Sequence, residues 1–191
     1  MIEKPLIVFE GVDHSGKTTV SQLLAEKYPE FKWSHEPNFP SEEADRLNSD
    51  EFKGKPAKRE VFFLESRLQQ QSLYRSNAVF LDRYLWSGLA YAKAFSPSIY
   101  GFCEELYQDY KIFKKPTLTF FMDTPVQTCF ERKEPESTET VEKLAMLLKA
   151  YQETACFVNT EIVYIDGTDT VDGCLAQCEA ALRKHIPNYF V

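Results

Sequence analysis

A chain of 191 residues, 43% hydrophobic and 27% charged, is sized for one domain with a buried core, and its composition is too varied for a fibrous or low-complexity protein. The net charge of −7 argues against nucleic acid or an anionic membrane surface as partner, and the short basic clusters Lys53–Lys55 and Lys111–Lys115 read as solvated faces. Five cysteines without a CxxC pair, and the three histidines His14, His35 and His185 without ligand spacing, speak against a zinc module. The cysteines read as small apolar core residues in a reducing compartment, with Cys174 and Cys178 one helical turn apart for packing.

In chain order, Glu3, Lys4 and Pro5 interrupt any basic-then-apolar leader, and no apolar run approaches the roughly 20 residues of a spanning helix, so the expectation is a soluble, cytoplasmic protein. Leu6-Ile7-Val8-Phe9 is a continuous apolar run, the pattern of a strand buried on both faces, and it passes through Glu10 into a glycine loop. Helical spacing follows over Thr18–Lys27, then a short strand over Phe31–Trp33. Pro56–Tyr74 predicts a long helix that begins at a proline and is rich in Leu, Glu, Gln and Arg. Ala78-Val79-Phe80-Leu81-Asp82 predicts a second buried strand ending in a carboxylate. A helix over Tyr84–Phe95 and another after the cap-and-proline pair Ser96-Pro97 come next. Leu118–Met122 is a strand, Asp123-Thr124-Pro125 opens a helix, Glu139–Phe157 is a further helix, Ile162–Ile165 the last strand and Val171–His185 the last helix. Strands alternating with helices predict an α/β domain with a parallel sheet covered on both faces. The polar stretch from Arg132 to Thr140 has no apolar anchor and reads as a mobile lid within a single domain spanning residues 1–191.

Gly11-Val12-Asp13-His14-Ser15-Gly16-Lys17-Thr18 fits G-x-x-x-x-G-K-[ST] between a buried strand and a helix. Its glycines let backbone N–H groups converge on phosphate oxygens, and the helix N-terminus favours negative charge. Lys17 is placed to reach the β- and γ-phosphates and the Thr18 hydroxyl to ligate Mg²⁺. Such a loop binds ATP in kinases, switches and motors alike. Asp82, at a strand's C-terminal end, is a candidate second Mg²⁺ carboxylate; the alternative is a helix cap. A helix starting near Arg83 would align Arg83, Ser87 and Tyr91 on one stripe, a set suited to a second substrate that carries a monophosphate.

At this point the sequence closely resembles the thymidylate kinase family. The family's F-E-G-x-D-x-x-G-K-T-T is reproduced by Phe9–Thr19, its D-R-Y-x-x-S-x-x-A-Y by Asp82–Tyr91, and its F-x-x-x-R by Phe63–Arg67. The resemblance implies a P-loop NTPase fold with a five-stranded parallel sheet flanked by helices, and transfer of the γ-phosphoryl group of ATP to dTMP, with Mg²⁺ as cofactor. It implies an ATP site made of Gly11 through Thr19, with Arg132, Lys133, Asp166 and Gly167 around the adenine and the lid. It implies a dTMP site in which Phe63 stacks on the base, Arg67 bonds a base carbonyl, Arg83 grips the acceptor phosphate, Asp13 accepts the sugar 3′-hydroxyl, and Tyr91 fills the place of a ribose 2′-hydroxyl. Ser87 and Gly88 belong to the same motif. Glu36 and Pro37 line the pocket, and Arg46 supplies a second phosphate ligand. Lys17, Arg83 and Asp82 carry the catalysis, and a homodimer is expected.

Departures from the family pattern bear on base choice. Its E-P-G-G segment stands here as Glu36-Pro37-Asn38-Phe39, His35 replaces an arginine of bacterial members, and Ala92 replaces a glutamine. Phe63 and Tyr91 could equally be core aromatics. Arg132 is a platform for adenine, a charge stabiliser, both, or a solvated helix-end residue, and the working expectation gives it adenine and gives Lys133 the charge. Two rivals stay open: a deoxynucleoside kinase or a kinase of another pyrimidine monophosphate such as dUMP, and a P-loop ATPase switch that needs no acceptor.

Overall fold

A computed structural model describes residues 4–39, 46 and 50–190. The elements in chain order are β1 (Leu6–Glu10), α1 (Lys17–Lys27), β2 (Phe31–His35), α2 (Pro56–Ser76), β3 (Ala78–Asp82), α3 (Leu85–Phe95), α4 (Pro97–Leu106), β4 (Leu118–Asp123), α5 (Val126–Glu131), α6 (Val141–Thr154), β5 (Ile162–Asp166) and α7 (Val171–His185). All strand pairings are parallel, in the order β2-β3-β1-β4-β5. The alternating pattern predicted this parallel sheet covered on both faces, and the family resemblance implied its five-stranded α/β P-loop architecture flanked by helices.

The apolar runs of β1 and β3 follow from burial on both faces of the sheet. Because successive side chains alternate, Ile7 and Phe9 of β1 and Phe80 of β3 join one core with Val20 and Leu24 of α1 and Cys174, Cys178 and Leu182 of α7. Leu6, Val8, Val79 and Leu81 face the other way, onto Leu64 and Tyr74 of α2, Leu85 and Leu89 of α3, and Tyr107. A third cluster joins Trp86 and Ala90 of α3 to Leu144, Leu147 and Tyr151 of α6. Cys174 and Cys178 are packing residues, as their spacing suggested. Cys156 is not, since it is exposed at the turn that ends α6. Among the described residues no helix is long and apolar enough to cross a membrane.

Two boundaries differ from the sequence expectation for identifiable reasons. The predicted helix over Glu139–Phe157 is regular only from Val141, where Thr140 caps it by accepting from Lys143 N, to Thr154, and its last three residues tighten into a 3-10 turn. The helix expected from Tyr84 begins at Leu85, because the two preceding amides are already used on the end of β1. Arg83 N donates to Phe9 O at 2.9 Å and Tyr84 N to Glu10 Oε1 at 3.0 Å. Arg83 accordingly takes a left-handed conformation with φ of 69°, which costs a non-glycine residue about 1–3 kcal/mol. Ser96 does precede Pro97 at the start of α4, but its side chain makes no capping bond.

The strand order places β1 between β3 and β4, so the chain leaves the sheet in opposite directions on either side of it. The crevice above the C-terminal ends of these three strands is where such folds bind ligands. The sheet centre is the rigid floor of that crevice. Phe80 is fully buried, stacked on Phe31 at 4.3 Å and edge-on to Phe9 at 6.1 Å. Phe80→Ala is expected to lower stability by about 3–5 kcal/mol, read from urea denaturation midpoints with an unchanged slope.

Candidate active site

The loop after β1 closes on itself. Gly16, with φ of 100°, precedes α1 in a left-handed conformation that favours glycine, so that the following N–H groups open α1 toward the crevice. Lys17 folds back across the loop, donating to Val12 O at 2.6 Å and Ser15 Oγ at 3.3 Å. Burial, and next the Arg83 charge, push its pKa down to about 8, against partial compensation by Asp82, Asp13 and Glu10. A phosphate here would supply the missing counter-charge.

Thr18 Oγ1 donates to Asp82 Oδ2, which brings the two expected metal-ligating side chains together across the loop. The other oxygen, Asp82 Oδ1, is buried with no hydrogen-bond partner. An orphaned carboxylate oxygen beside a hydroxyl is a hard oxygen donor set, and it fits Mg²⁺ better than it fits a helix cap, since α3 begins only at Leu85.

Arg83 occupies the middle of the site. Its Nη2 pairs with Asp13, and its Nη1 lies 3.4 Å from Gly11 O, 3.3 Å from Ser87 Oγ and 3.4 Å from Tyr151 OH. Tyr91 donates its hydroxyl to the other oxygen of Asp13, and its ring lies 5.5 Å beneath the Arg83 guanidinium. Arg83, Ser87 and Tyr91 thus converge as predicted, with Ser87 and Tyr91 one turn apart on α3 and Arg83 joining them through the left-handed turn before the helix. Burial works against ionisation of Asp13, yet Arg83, Lys17 and the Tyr91 hydroxyl outweigh it and hold the carboxyl down to about 2.

A cleft of about 520 Å³ runs from Asp13, His14 and Arg83 to a wall formed by α2. Glu36, Pro37, Phe63, Arg67, Ser87 and Tyr91 also line it, so the predicted acceptor residues share one space. Phe63 is half-buried in that wall while its neighbours Phe62 and Leu64 are buried, which favours a ligand-facing ring over a core one. Arg67 is held on three sides: Nε donates to Glu36 Oε2 at 2.7 Å, and Nη1 to Glu60 Oε1 at 2.7 Å and to Tyr107 OH at 2.5 Å. Gly88 stands directly behind it, where a Cβ would lie 2.7 Å from Arg67 Nη1 and 2.7 Å from the Tyr107 ring. Gly88 serves the site by close approach.

Arg46 is not with this group. It forms a bidentate pair with Glu51 and lies over the Phe62 ring, and it does not line the cleft. Lys133 also sits apart, donating to Ser137 O at 3.1 Å over the Phe130 ring. The segment from Arg132 to Thr140 is irregular and lies against the glycine loop through Ser137 Oγ and His14 Nε2, 3.3 Å apart. Arg132 Nη1 donates to Gly167 O at 2.9 Å, which places it beside the Asp166-Gly167 turn.

Several site residues escaped the sequence reading. Glu10 was inside a quoted motif, and only its burial shows its task. Arg59 and Glu60 line the cleft from the same helix as Phe63 and Arg67, and the spacing of 60, 63 and 67 was a readable helical stripe. Lys143 reaches the cleft from the first turn of α6.

A phosphate cradle, a strand-end aspartate beside its threonine, and a cation-bearing second cleft define a P-loop kinase of the nucleoside monophosphate kinase fold. A model of the family Thymidylate kinase matches residues 9–176, and the chain belongs to that family. It is 31% identical over 199 residues to the thymidylate kinase of Leptospira borgpetersenii, across 96% of both chains. In structure it is similar to the thymidylate kinase of Candida albicans, with TM-score 0.78, 21% identity and coverage of 99% and 94%. It is also similar to the deoxyadenosine kinase of M. mycoides, with TM-score 0.75, 16% identity and coverage of 94% and 99%. The chain is therefore a phosphotransferase of the P-loop nucleoside monophosphate kinase kind, acting on nucleotide substrates.

One electrostatic consequence is testable in the protein alone. Glu36 and Glu60 share the single guanidinium of Arg67 in a buried wall, and burial pushes the Glu36 carboxyl up to about 8 against the pull of Arg67. Between the ordinary value of 4.5 and about 8 the folded protein therefore holds a proton that the unfolded chain releases. Stability should fall as pH rises through that window and level off above it. Denaturation midpoints measured from pH 5 to 9 should show this slope in wild type and a flatter one in Glu36→Gln.

Proposed function

We propose that this chain transfers the γ-phosphoryl group of ATP to dTMP, giving dTDP and ADP. The observation that carries the reading is the Arg83 cluster, set between the glycine loop and a cleft whose far wall presents Phe63 and Arg67. A nucleoside acceptor has no phosphate for such a cation to hold, and an ATPase switch has no use for the α2 wall.

In this reading the ATP phosphates lie on the amides of Gly11 through Thr19, and Arg132 with Asp166 and Gly167 borders the adenine. Phe63 stacks on the thymine and Arg67 bonds a base carbonyl. Tyr91, locked to Asp13, occupies the side of the sugar where a ribose 2′-hydroxyl would project. Arg83 exchanges part of its pairing with Asp13 for the acceptor phosphate, and Asp13 turns to the 3′-hydroxyl. An acceptor phosphate oxygen forms its bond to the γ-phosphorus as the β,γ-bridge bond breaks, and the electron pair goes to the β-phosphate oxygen. Lys17 and the loop amides stabilise the charge that develops there. Thr18 and Asp82 would hold Mg²⁺, which neutralises phosphate charge when bound. Lys133 is tied to the lid backbone, so Lys17 and Arg83 are the principal cations. The homodimer and the cytoplasmic location implied by the family belong to the same proposal, and light scattering tests the first.

A coupled assay over nucleosides and nucleoside monophosphates is the direct test. dTMP should be the best acceptor, with dUMP used less well, because one methyl group in an apolar pocket is worth only about 1–3 kcal/mol. Preference for a nucleoside or for a purine monophosphate would overturn the reading. Lys17→Ala should lower kcat by about 10²–10³-fold. Asp82→Asn should raise the Mg²⁺ concentration needed for half-maximal rate, and Mg²⁺ titrations identical to wild type would make Asp82 structural. Arg132→Ala should raise KM for ATP while kcat falls modestly, since ground-state and transition-state binding are lost together.

A further inference from the structure

The α2 wall of the cleft holds a polar atom that the roles above leave unused. Glu60 is 3% exposed and lines the cleft, two helical turns before Arg67. Its Oε1 is engaged twice, accepting from Arg67 Nη1 at 2.7 Å and from Tyr107 OH at 3.0 Å. Its Oε2 has no hydrogen bond to any described residue and, unlike the orphaned Asp82 Oδ1, keeps some accessible surface. A buried carboxylate oxygen left open toward a cavity is costly unless something in the cavity completes it. Gly88 helps to create this arrangement. A Cβ there would lie 2.9 Å from Glu60 Oε1, so any side chain at 88 would displace the carboxylate and the guanidinium together.

The inference rests on the reading that the acceptor is a pyrimidine deoxynucleoside monophosphate. We propose that Glu60 is a specificity-determining residue for the acceptor base, its Oε2 accepting a hydrogen bond from the imide N3–H of thymine or uracil. Arg67 can only donate and an ionised Glu60 can only accept, and they stand side by side within one hydrogen bond of each other. Thymine and uracil present the complementary edge, a carbonyl at C4 beside an N–H at N3. Cytosine presents the reverse, an amino group at C4 and a lone pair at N3, and both meet the wrong partner. A site that hydrogen-bonds its ligand rejects a mismatched edge far more strongly than an apolar pocket rejects a missing methyl group. On this account the wall discriminates weakly between dTMP and dUMP and strongly against dCMP.

Steady-state kinetics with dTMP, dUMP and dCMP, with ATP saturating, supply the first test. Wild type should prefer dTMP over dCMP by at least about 100-fold in kcat/KM, and Glu60→Gln, whose amide can turn an N–H toward the cytosine N3, should reduce that preference about tenfold or more. The ratio of dTMP to dUMP and the KM for ATP should stay within about twofold of wild type. An unchanged dTMP to dCMP preference in folded Glu60→Gln, with dTMP still phosphorylated, overturns the inference and leaves the proposed function standing. No turnover of any pyrimidine monophosphate by wild type overturns both.

A second measurement separates reading the base from merely holding Arg67, and it needs no variant. 5-Fluoro-dUMP has a more acidic imide than dTMP, so raising the pH from 7 to 9 removes its N3 proton first. In wild type its kcat/KM relative to dTMP should fall by about tenfold over that range, because a carboxylate cannot accept from an anion. Arg67, Tyr107 and Glu36 also face or adjoin Glu60, but their titration acts on both acceptors and cancels in the ratio. The fall should be shallower in Glu60→Gln. A pH-independent ratio in wild type, or the same fall in both proteins, would reduce Glu60 to a support for Arg67.

Discussion

Glu10 carries its carboxyl at 1% exposure, where the central strand gives way to the glycine loop. A carboxyl buried this deeply is costly without hydrogen-bond partners. Oε1 accepts from the amides of Tyr84 and Ser87 at 3.0 and 3.2 Å, and Oε2 from the hydroxyls of Ser87 and Tyr151. Those four bonds join the end of β1 to the first turn of α3 and to α6. They also satisfy amides that a free helix start would leave to solvent. Burial raises the Glu10 pKa, while the Ser87 bonds and the Arg83 charge oppose that shift. The left-handed turn at Arg83 persists because strand pairing holds Asp82 before it and this clamp holds Tyr84 and Ser87 after it.

Around that clamp the charges are paired in ways a ligand can exchange. Lys17 rests on Val12 O, Arg83 on Asp13, and Thr18 on Asp82. Each pairing relieves the desolvation of a buried or half-buried ionic group without locking it permanently, since each partner is an oxygen and phosphate brings oxygens of its own. Rearrangement on binding is then a swap among oxygen acceptors, with phosphate adding the counter-charge that Lys17 lacks. The low-dielectric surroundings that make these groups costly when unpaired also strengthen their action on a phosphoryl group.

The opposite wall follows a different logic. Arg67 is buried with Glu36, Glu60 and a tyrosine hydroxyl. Burial opposes its charge, but Tyr107, Glu60 and Glu36 outweigh it and hold its pKa well above the usual guanidinium value. Such a guanidinium does not move to meet a substrate. It forms part of a rigid surface on α2, whereas the phosphate loop end of the cleft is built from groups that can trade partners.

The local chemistry was legible in the chain itself. Glycine spacing between a β-branched apolar run and a helix specifies a phosphate loop, because few other residues permit φ of 100° at Gly16 or let amides converge. Runs such as Leu6–Phe9 and Ala78–Leu81 announce strands covered on both faces, and the alternation with helices then dictates a parallel sheet. Phe63 and Arg67 were readable as neighbours because a helix brings positions four apart together. What only the tertiary structure decided is every relation that spans the sheet. Whereas Arg46 with Glu51 and Lys133 with Ser137 O pair locally and do not line the cleft, the capping by Glu10 of a helix starting at residue 85 is a consequence of packing between distant segments. The same holds for Glu60. Its helical position was plain in the sequence, but the loss of water around its carboxylate depends on Tyr107 and Gly88, which arrive from elsewhere in the fold. Local sequence sets backbone conformation and periodicity, and desolvation is a property of the assembled whole.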